Sequence, residues 1–477
     1  VGRLRLSLGI ARAGELRATL LSRDATDAPR IALADEHGIE VPVSIEPIPT
    51  SQAFGDALAR HGVRVWAIGS SATAPARAYR MVARAGSAAT EIEFRTLPAA
   101  IDTELSILAA TCFYSGARTA DRFRAAALDP RAPAALQIFA GDNVYLDVGP
   151  GSVDADPFVE AVRRYLAHVD DDDYGAILAA RPTVTTWDDH EFWNNYPEVQ
   201  LHLSRSWGGS FERNRAAADE ALRVFQMTRN PRPVVAGGRS FAIDLPPLSI
   251  FVADTRSRRT RTGIARPRLC PEAELGALVR WARHLRGPGL LVLGQPLWLA
   301  PGGALVDCSP ANFAEDYRTI LDALADAPWD VAVLSGDVHH SRAIELDVGG
   351  WSIPEIVTSA AARIPSTWEI LAGGYRGQGS EDVVVPHAIE VVREGRGVPK
   401  LASYWLGGDV ANTFARLRFS RSSSRGELDV GVCFVDAMTG RPAPNVAPAR
   451  ALPGGVRPLR AAFCDEDPLF VLRERRR

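Results

Sequence analysis

The chain has 477 residues, 46% hydrophobic and 23% charged, with a formal net charge of −3. That length exceeds a single ordinary core, so two or more structural units are expected, and the composition is that of a globular protein. No stretch approaches the roughly 20 apolar residues of a membrane span, and the charge balance excludes a general affinity for nucleic acid or anionic membranes.

In residues 1–100, short segments at 3–8, 39–45, 63–68 and 90–95 alternate apolar and polar side chains between clusters of Gly, Pro, Ser and Ala. Period-two alternation predicts strands, and their spacing predicts a small N-terminal antiparallel β-sandwich domain ending near Leu97-Pro98. From residue 101 to 477 the pattern changes. Apolar runs at 107–111, 136–140, 183–187, 249–253, 290–294 and 331–334 read as buried strands. Helical spacing at 157–166 (behind Asp154 and Asp156), 212–225, 272–285 and 312–325 separates several of them. Strand-helix alternation predicts a layered α/β domain with helices flanking the sheets. Residues 343–346 and 355–358 read as later strands, and 414–419 and 427–435 as an antiparallel pair around a serine-rich turn at 420–424. Gly349-Gly350 and Gly373-Gly374 mark loops, and the arginine-rich end at 473–477 reads as a frayed tail.

Five cysteines, at 112, 270, 308, 433 and 464, are too sparse for a disulfide framework and contain no CxxC pair, although one or two bridges would fit. The residues given hold no charged-then-apolar leader. A start at Val1 fits a cleaved or omitted segment, which would make the protein secreted or periplasmic and otherwise cytoplasmic.

Four apolar runs end in polar blocks: Gly141-Asp142-Asn143-Val144-Tyr145-Leu146-Asp147, Asp188-Asp189-His190-Glu191, Gln295, and Ser335-Gly336-Asp337-Val338-His339. Carboxyl ends of neighbouring buried strands share one rim, and carboxylates gathered there are costly unless cations neutralise them. Asp142 is the candidate bridging ligand, because a carboxylate has two oxygens. Asp189 is a second ligand, with His190 as acid or electrostatic stabiliser and Asp188 or Glu191 orienting a ligand. Asp337 and His339 point the same way on an extended segment; His340 would point the other way. Read alone, Cys112 is a small buried hydrophobe whose thiolate lies within reach of a metal, and Tyr145 is a core aromatic. In the arginine-rich cluster at 256–261, Arg256 is the candidate phosphate contact, while Arg259 would pair with Asp254 or lie in a solvated loop. Arginine is common throughout, Lys400 being the only lysine. Asn194 and Asn195 would hold substrate oxygens or cap a turn.

The blocks Gly-Asp-x-x-Tyr-x-Asp (141–147), Trp-Asp-Asp-His-Glu-Phe-x-Asn-Asn (187–195), Asp-Thr-Arg-x-x-Arg (254–259) and Ser-Gly-Asp-Val-His-x-Ser (335–341) together resemble the alkaline phosphatase D family of calcineurin-like metallophosphoesterases. The resemblance runs from about residue 106 to the C-terminus, and the β-rich first hundred residues match the family's layout. The broad superfamily usually opens with Asp-x-His, which this chain lacks; the narrower family has cysteine there. The resemblance therefore implies that Cys112 and Tyr145 are ligands and that Gln295 stands where histidine is commoner. Cys112, Asp142, Tyr145 and His339 would form an anionic, softer site suited to Fe3+, and Asp142, Asp189, Gln295 and Asp337 an all-oxygen site suited to Ca2+; Mn2+ or Zn2+ remain alternatives. The implied activity is hydrolysis of phosphodiesters, phosphomonoesters or both, on small or polymeric substrates, by a hydroxide held between the metals. A non-catalytic phosphate- or polymer-binding protein on the same fold is the alternative, and a metallohydrolase of other bonds a third.

Overall fold

The computed structural model describes residues 2–24, 27–115, 120–147, 156–200, 206–299, 308–339, 341–348, 351–358, 360–362, 383–392, 400–408, 412–422, 426–443, 456–458 and 468–475. The chain opens with β1 (Arg3–Arg12), β2 (Glu15–Arg23), β3 (Arg30–Asp35), β4 (Ser44–Pro47), α1 (Gln52–Arg60), β5 (Val63–Ser70), β6 (Ala78–Ala85) and β7 (Ala88–Arg95). A four-stranded sheet in the order β1-β2-β5-β4 faces a three-stranded sheet β3-β6-β7, with every pair antiparallel. Inward-pointing Leu4, Leu6, Leu8, Leu33, Met81, Ala83, Ile92 and Phe94 fill the space between them. This is the expected sandwich, with one correction: of residues 39–45 only the end joins a strand, β4. Pro42 has no N–H to give to a ladder, so the segment before it runs as loop. Helix α1 is an addition to the expectation, started by Ser51, whose hydroxyl accepts from Phe54 N at 3.3 Å.

There follow β8 (Glu104–Phe113), α2 (Ala120–Ala127), β9 (Leu136–Ala140), α3 (Pro157–Val169), α4 (Tyr174–Ala180), β10 (Thr183–Thr186), α5 (Phe211–Phe225), β11 (Phe241–Leu245), β12 (Leu248–Val252), α6 (Glu272–Arg283), β13 (Gly289–Val292), α7 (Ala314–Ala325) and β14 (Val331–Ser335). The last stretch holds β15 (Arg342–Val348), β16 (Trp351–Val357), β17 (Ala360–Ala362), β18 (Val383–Val392), β19 (Lys400–Gly408), β20 (Thr413–Arg421), β21 (Leu428–Asp436), β22 (Val456–Pro458) and β23 (Phe470–Leu472). Two seven-stranded sheets form, one in the order β10-β9-β8-β20-β21-β23 with β17 beside β8, the other β11-β12-β13-β14-β16-β15-β22. Their facing sides share one core, including Ile107, Ile138, Val184, Ile250, Leu290, Leu334 and Leu417. Helices α6 and α7 cover the outer face of the second sheet, and α2 and α4 that of the first. The result is a layered α/β sandwich with helices on both outer faces.

Leu21, Val63 and Val65 of the N-terminal sheet pack into one cluster with Val162, Tyr165, Leu222 and Phe225 of α3 and α5. The expected tail at 473–475 is instead docked. Strand β23 pairs with β21, and Arg475 Nε lies 2.7 Å from Asp330 Oδ1 while its Nη1 donates to Leu324 O at 2.6 Å. An ion pair and a carbonyl acceptor at the sheet end outweigh the solvation that the arginine run suggested. Cys112 and Cys270 are free and buried, Cys308 is buried beside Thr262, and Cys433 is disulfide-bonded. No helix among the described residues is long and apolar enough to cross a membrane. Asp154, His340, Gly349-Gly350, Gly373-Gly374, Cys464 and residues 476–477 lie outside the described residues.

Candidate metal centre

Strands β8, β9 and β10 are mutually parallel, as are β12, β13, β14 and β16. Their carboxyl ends therefore meet on one rim, which carries Cys112, Asp142, Asp188-Asp189, Gln295 and Asp337-His339. The two sheets come very close there. A Cβ on Gly336 would stand 2.7 Å from Ala140 O and closer still to Thr111 Oγ1, so any side chain would push β14 away from β8 and β9. Among the described residues seven non-glycine positions have positive φ, and five of them, Cys112, Asp142, Asn195, Asp337 and His339, are on this rim. Left-handed backbone at such residues is costly and persists only where its surroundings hold it, which marks a functional site.

Three sets of potential ligand atoms lie mutually within 4.8 Å: Cys112, Asp142 and His339; Asp142, Asp189 and His190; and Asp142, Asp188, Asp189 and Asp337. Asp142 is common to all three, as a bridging carboxylate would be. Cys112 Sγ is 3.6 Å from Asp142 Oδ2, and Tyr145 packs against Cys112. Gln295 Nε2 donates to Asp337 Oδ2 at 3.2 Å. Five of the seven expected ligands, Cys112, Asp142, Asp189, Asp337 and His339, fall in these groups, with Tyr145 against Cys112 and Gln295 against Asp337.

The donor set fits cations on two further observations. The Tyr145 hydroxyl and Asp189 Oδ1 are buried without a hydrogen-bond partner, an expensive state for polar atoms in a folded interior. Burial, reinforced by Asp142, pushes the Cys112 thiol well up, and burial with Cys112 and Asp142 does the same to Tyr145. Burial also raises Asp142, with His190 opposing and the Asp189, Asp188 and Glu191 carboxylates adding to it. Cations would reverse this, drawing the thiolate, phenolate and carboxylate forms together. Cys112, Asp142, Tyr145 and His339 could hold one ion, and Asp142, Asp189, Gln295 and Asp337 another.

His190 stands at the edge of the centre, its side chain 15% exposed, with Nδ1 2.9 Å from Asp147 Oδ1 and its ring 4.3 Å from that of Tyr145. Burial lowers its pKa, but Asp147, Asp189 and Asp142 overcome this and hold it well above the usual histidine range. Asp147 also accepts from Asn194 N at 2.7 Å, so it fixes both the imidazole and the loop beyond it. Asn195 N donates to Asp189 Oδ2, so in this loop it is the backbone amides that meet the site carboxylates.

Arg256, the expected phosphate contact, is enclosed beside the centre. It is 1% exposed, its Nε and Nη2 grip Asp188 at 2.6 and 3.1 Å, and Nη1 donates to Tyr196 O at 2.8 Å. The enclosed guanidinium clamps the residue beside Asp189. Arg259 is likewise internal, donating to Thr255 O and Cys308 O at 2.9 and 2.8 Å rather than pairing with Asp254. Asp254 instead accepts from Arg256 N and Ser257 N at 3.0 and 2.9 Å, shaping the turn that aims Arg256.

Two further carboxylates hold the loops: Glu191, which the sequence offered as an orienting residue, and Glu355, which it did not mark. Glu191 accepts from Asp142 N and Asp188 N at 3.0 Å and from Asn143 N at 2.6 Å. Glu355, paired with Arg342 at 3.1 Å, accepts from Leu297 N at 2.6 Å just beyond Gln295. Glu191 lies inside a quoted motif, which is a signal; Glu355 lies in an ordinary apolar strand, and nothing nearby in sequence marks it.

Residues 119–279 match the PhoD-like phosphatase family. A solved structure of PhoD is similar over 94% of this chain and 93% of its own, at 16% identity and a TM-score of 0.59. The purple acid phosphatase PPD1 from yellow lupin (Lupinus luteus) seeds is similar over 92% of this chain and 72% of its own, at 11% identity and a TM-score of 0.56. No curated relative matches the sequence. At such identities the two structures speak for the fold, while the family match covers the Asp142 and Asp189 loops and Arg256. Residues 119–279 are thus similar to the PhoD-like phosphatase family, and the chain as a whole shares the fold of those two structures.

Proposed function

We propose that the chain is a metal-dependent phosphoric ester hydrolase acting on phosphodiesters, phosphomonoesters or both. The observation that carries this reading is Asp142, shared by three ligand groups at the meeting point of two parallel-stranded sheets. Cys112, Asp142, Tyr145 and His339 suit Fe3+, and Asp142, Asp189, Gln295 and Asp337 suit Ca2+, with Mn2+ or Zn2+ as substitutes. Bound cations would offset charge on the phosphoryl oxygens and acidify a water held beside them.

The chain's own residues supply the rest. Asp147 accepts a hydrogen bond from Nδ1 of His190, so the opposite ring nitrogen is the one left to give a proton to the departing ester oxygen. Asp188 and Arg256 hold the loop that presents Asp189. The near-burial of His190 limits competing water at the leaving group. A pure phosphate-binding protein would have no use for an imidazole oriented in this way, which favours catalysis.

The test is turnover of bis(p-nitrophenyl) phosphate and of p-nitrophenyl phosphate by purified protein, with and without chelator. Chelator-sensitive release of p-nitrophenol is expected. Absence of turnover after loading with calcium, iron or manganese, alone and together, would overturn the reading.

A further inference from the structure

Gln226 caps the C-terminal end of α5 and is 2% exposed. It is far in sequence from every motif, yet its amide sits at the crossing of four elements. Its Nε2 donates to Glu191 Oε1 at 3.2 Å and to Tyr165 OH of α3 at 3.0 Å. Its Oε1 accepts from Asn143 Nδ2 at 3.2 Å, and the same Asn143 nitrogen reaches Thr186 O at 2.7 Å, at the end of β10. Glu191 in turn holds the backbone N–H groups of Asp142, Asn143 and Asp188.

We infer that Gln226 is a positioning residue for the metal centre, setting the loops that carry Asp142 and Asp189 through Asn143 and Glu191. The inference rests on the metal-centre reading above. The chemistry calls for an amide. One face must donate to a carboxylate while the other accepts from an asparagine NH2, and a terminal CONH2 does both at once. A carboxylate at this position would set two acidic groups against each other in a closed interior, and an apolar side chain would leave Glu191 and Asn143 each short of a partner. Through the network the two helices α3 and α5, which also pack on the N-terminal sheet, bear on the placement of Asp142. Outer partners of this kind govern metal affinity because they fix where the ligands point.

The experiment uses the full chain loaded with Mn2+ and titrated with EDTA, with free Mn2+ read by electron paramagnetic resonance and folding followed by melting curves. Gln226→Met should release Mn2+ at a chelator concentration about tenfold or more below that of the wild type. Gln226→Asn keeps the amide but is one methylene short; it should lose metal in the same way, and it serves if the methionine variant does not fold. Leu222→Ala, one turn back on α5 in the apolar core and outside the network, should melt lower yet release Mn2+ at the wild-type concentration. Equal release by wild type and both Gln226 variants would overturn the inference, as would a shift in Leu222→Ala as large as that in Gln226→Met. A wild-type chain that retains no Mn2+ would overturn the metal-centre reading itself and this inference with it, and the wild-type trace alone separates that case.

Discussion

Replacing Arg256 with methionine separates the clamp from the substrate contact that its motif suggested. The guanidinium makes two hydrogen bonds to Asp188, which is itself fully buried, and a third to Tyr196 O. Methionine fills similar volume without charge, so Asp188 is left buried and uncompensated. Breaking a buried pair in this way costs about 3–5 kcal/mol. Burial already raises the Asp188 carboxyl against the pull of Arg256. Proton uptake at neutral pH therefore moderates the loss toward the lower figure. Unfolding entropy of about 2 cal/mol/K per residue makes one kcal/mol worth roughly 1 °C in a chain this long if it melts as one unit, so the midpoint should fall by about 3–5 °C. The assay pairs thermal melts of metal-free and loaded protein with turnover of a diester. Arg256→Lys should recover part of the stability, since it keeps the charge but loses the planar fork. An unchanged melting point in Arg256→Met, with kcat/KM nevertheless reduced a hundredfold, would refute the clamp and return the guanidinium to the substrate.

Asp142→Asn should lower the content of both metals measured by elemental analysis, whereas Asp337→Ala should empty mainly the all-oxygen position; equal losses in the two variants would mean that the carboxylate is not shared. His190→Ala should lower kcat by about 10²–10⁴ with metal content nearly intact, and Asp147→Asn should lower it in the same direction, because the amide removes the negative charge that holds the imidazole protonated. Tyr145→Phe should abolish any visible absorption arising from phenolate bound to ferric iron; a colour that survives the substitution would remove Tyr145 from the ligand set.

Local pattern made much of this molecule legible. Period-two alternation located β1, β5 and β7, and the apolar runs located the strands whose ends form the rim, since both signals arise from side-chain direction along a single element. The types of the site residues were legible for the same reason: acids at the ends of buried strands have few stable uses. What escaped was pairing across distance. Arg256 sits in an arginine-rich stretch and reads as a phosphate contact, yet its partner in the structure is Asp188, on another strand end. Helix α1 was lost because nine residues with three buried side chains carry little periodic signal. The segment at 473–475 was misread because its composition suits solvent, and only the position of Asp330 shows otherwise.

A common rule connects these hidden contacts. Glu191, Glu355, Asp147 and Asp254 all accept from backbone N–H groups of loops that leave strand ends. Such loops cannot pair with a sheet, and their amides would be orphaned in a site closed to water. Carboxylates satisfy several amides at once and do so strongly, at the expense of bringing more negative charge to a place already crowded with it. Among the described residues Arg256 and Arg342 pair with Asp188 and Glu355, and the cation that faces Asp142 is the imidazole of His190. Asp142, the carboxylate common to every ligand group, is thus left to the His190 imidazole and, on the metal reading, to the cations it would share.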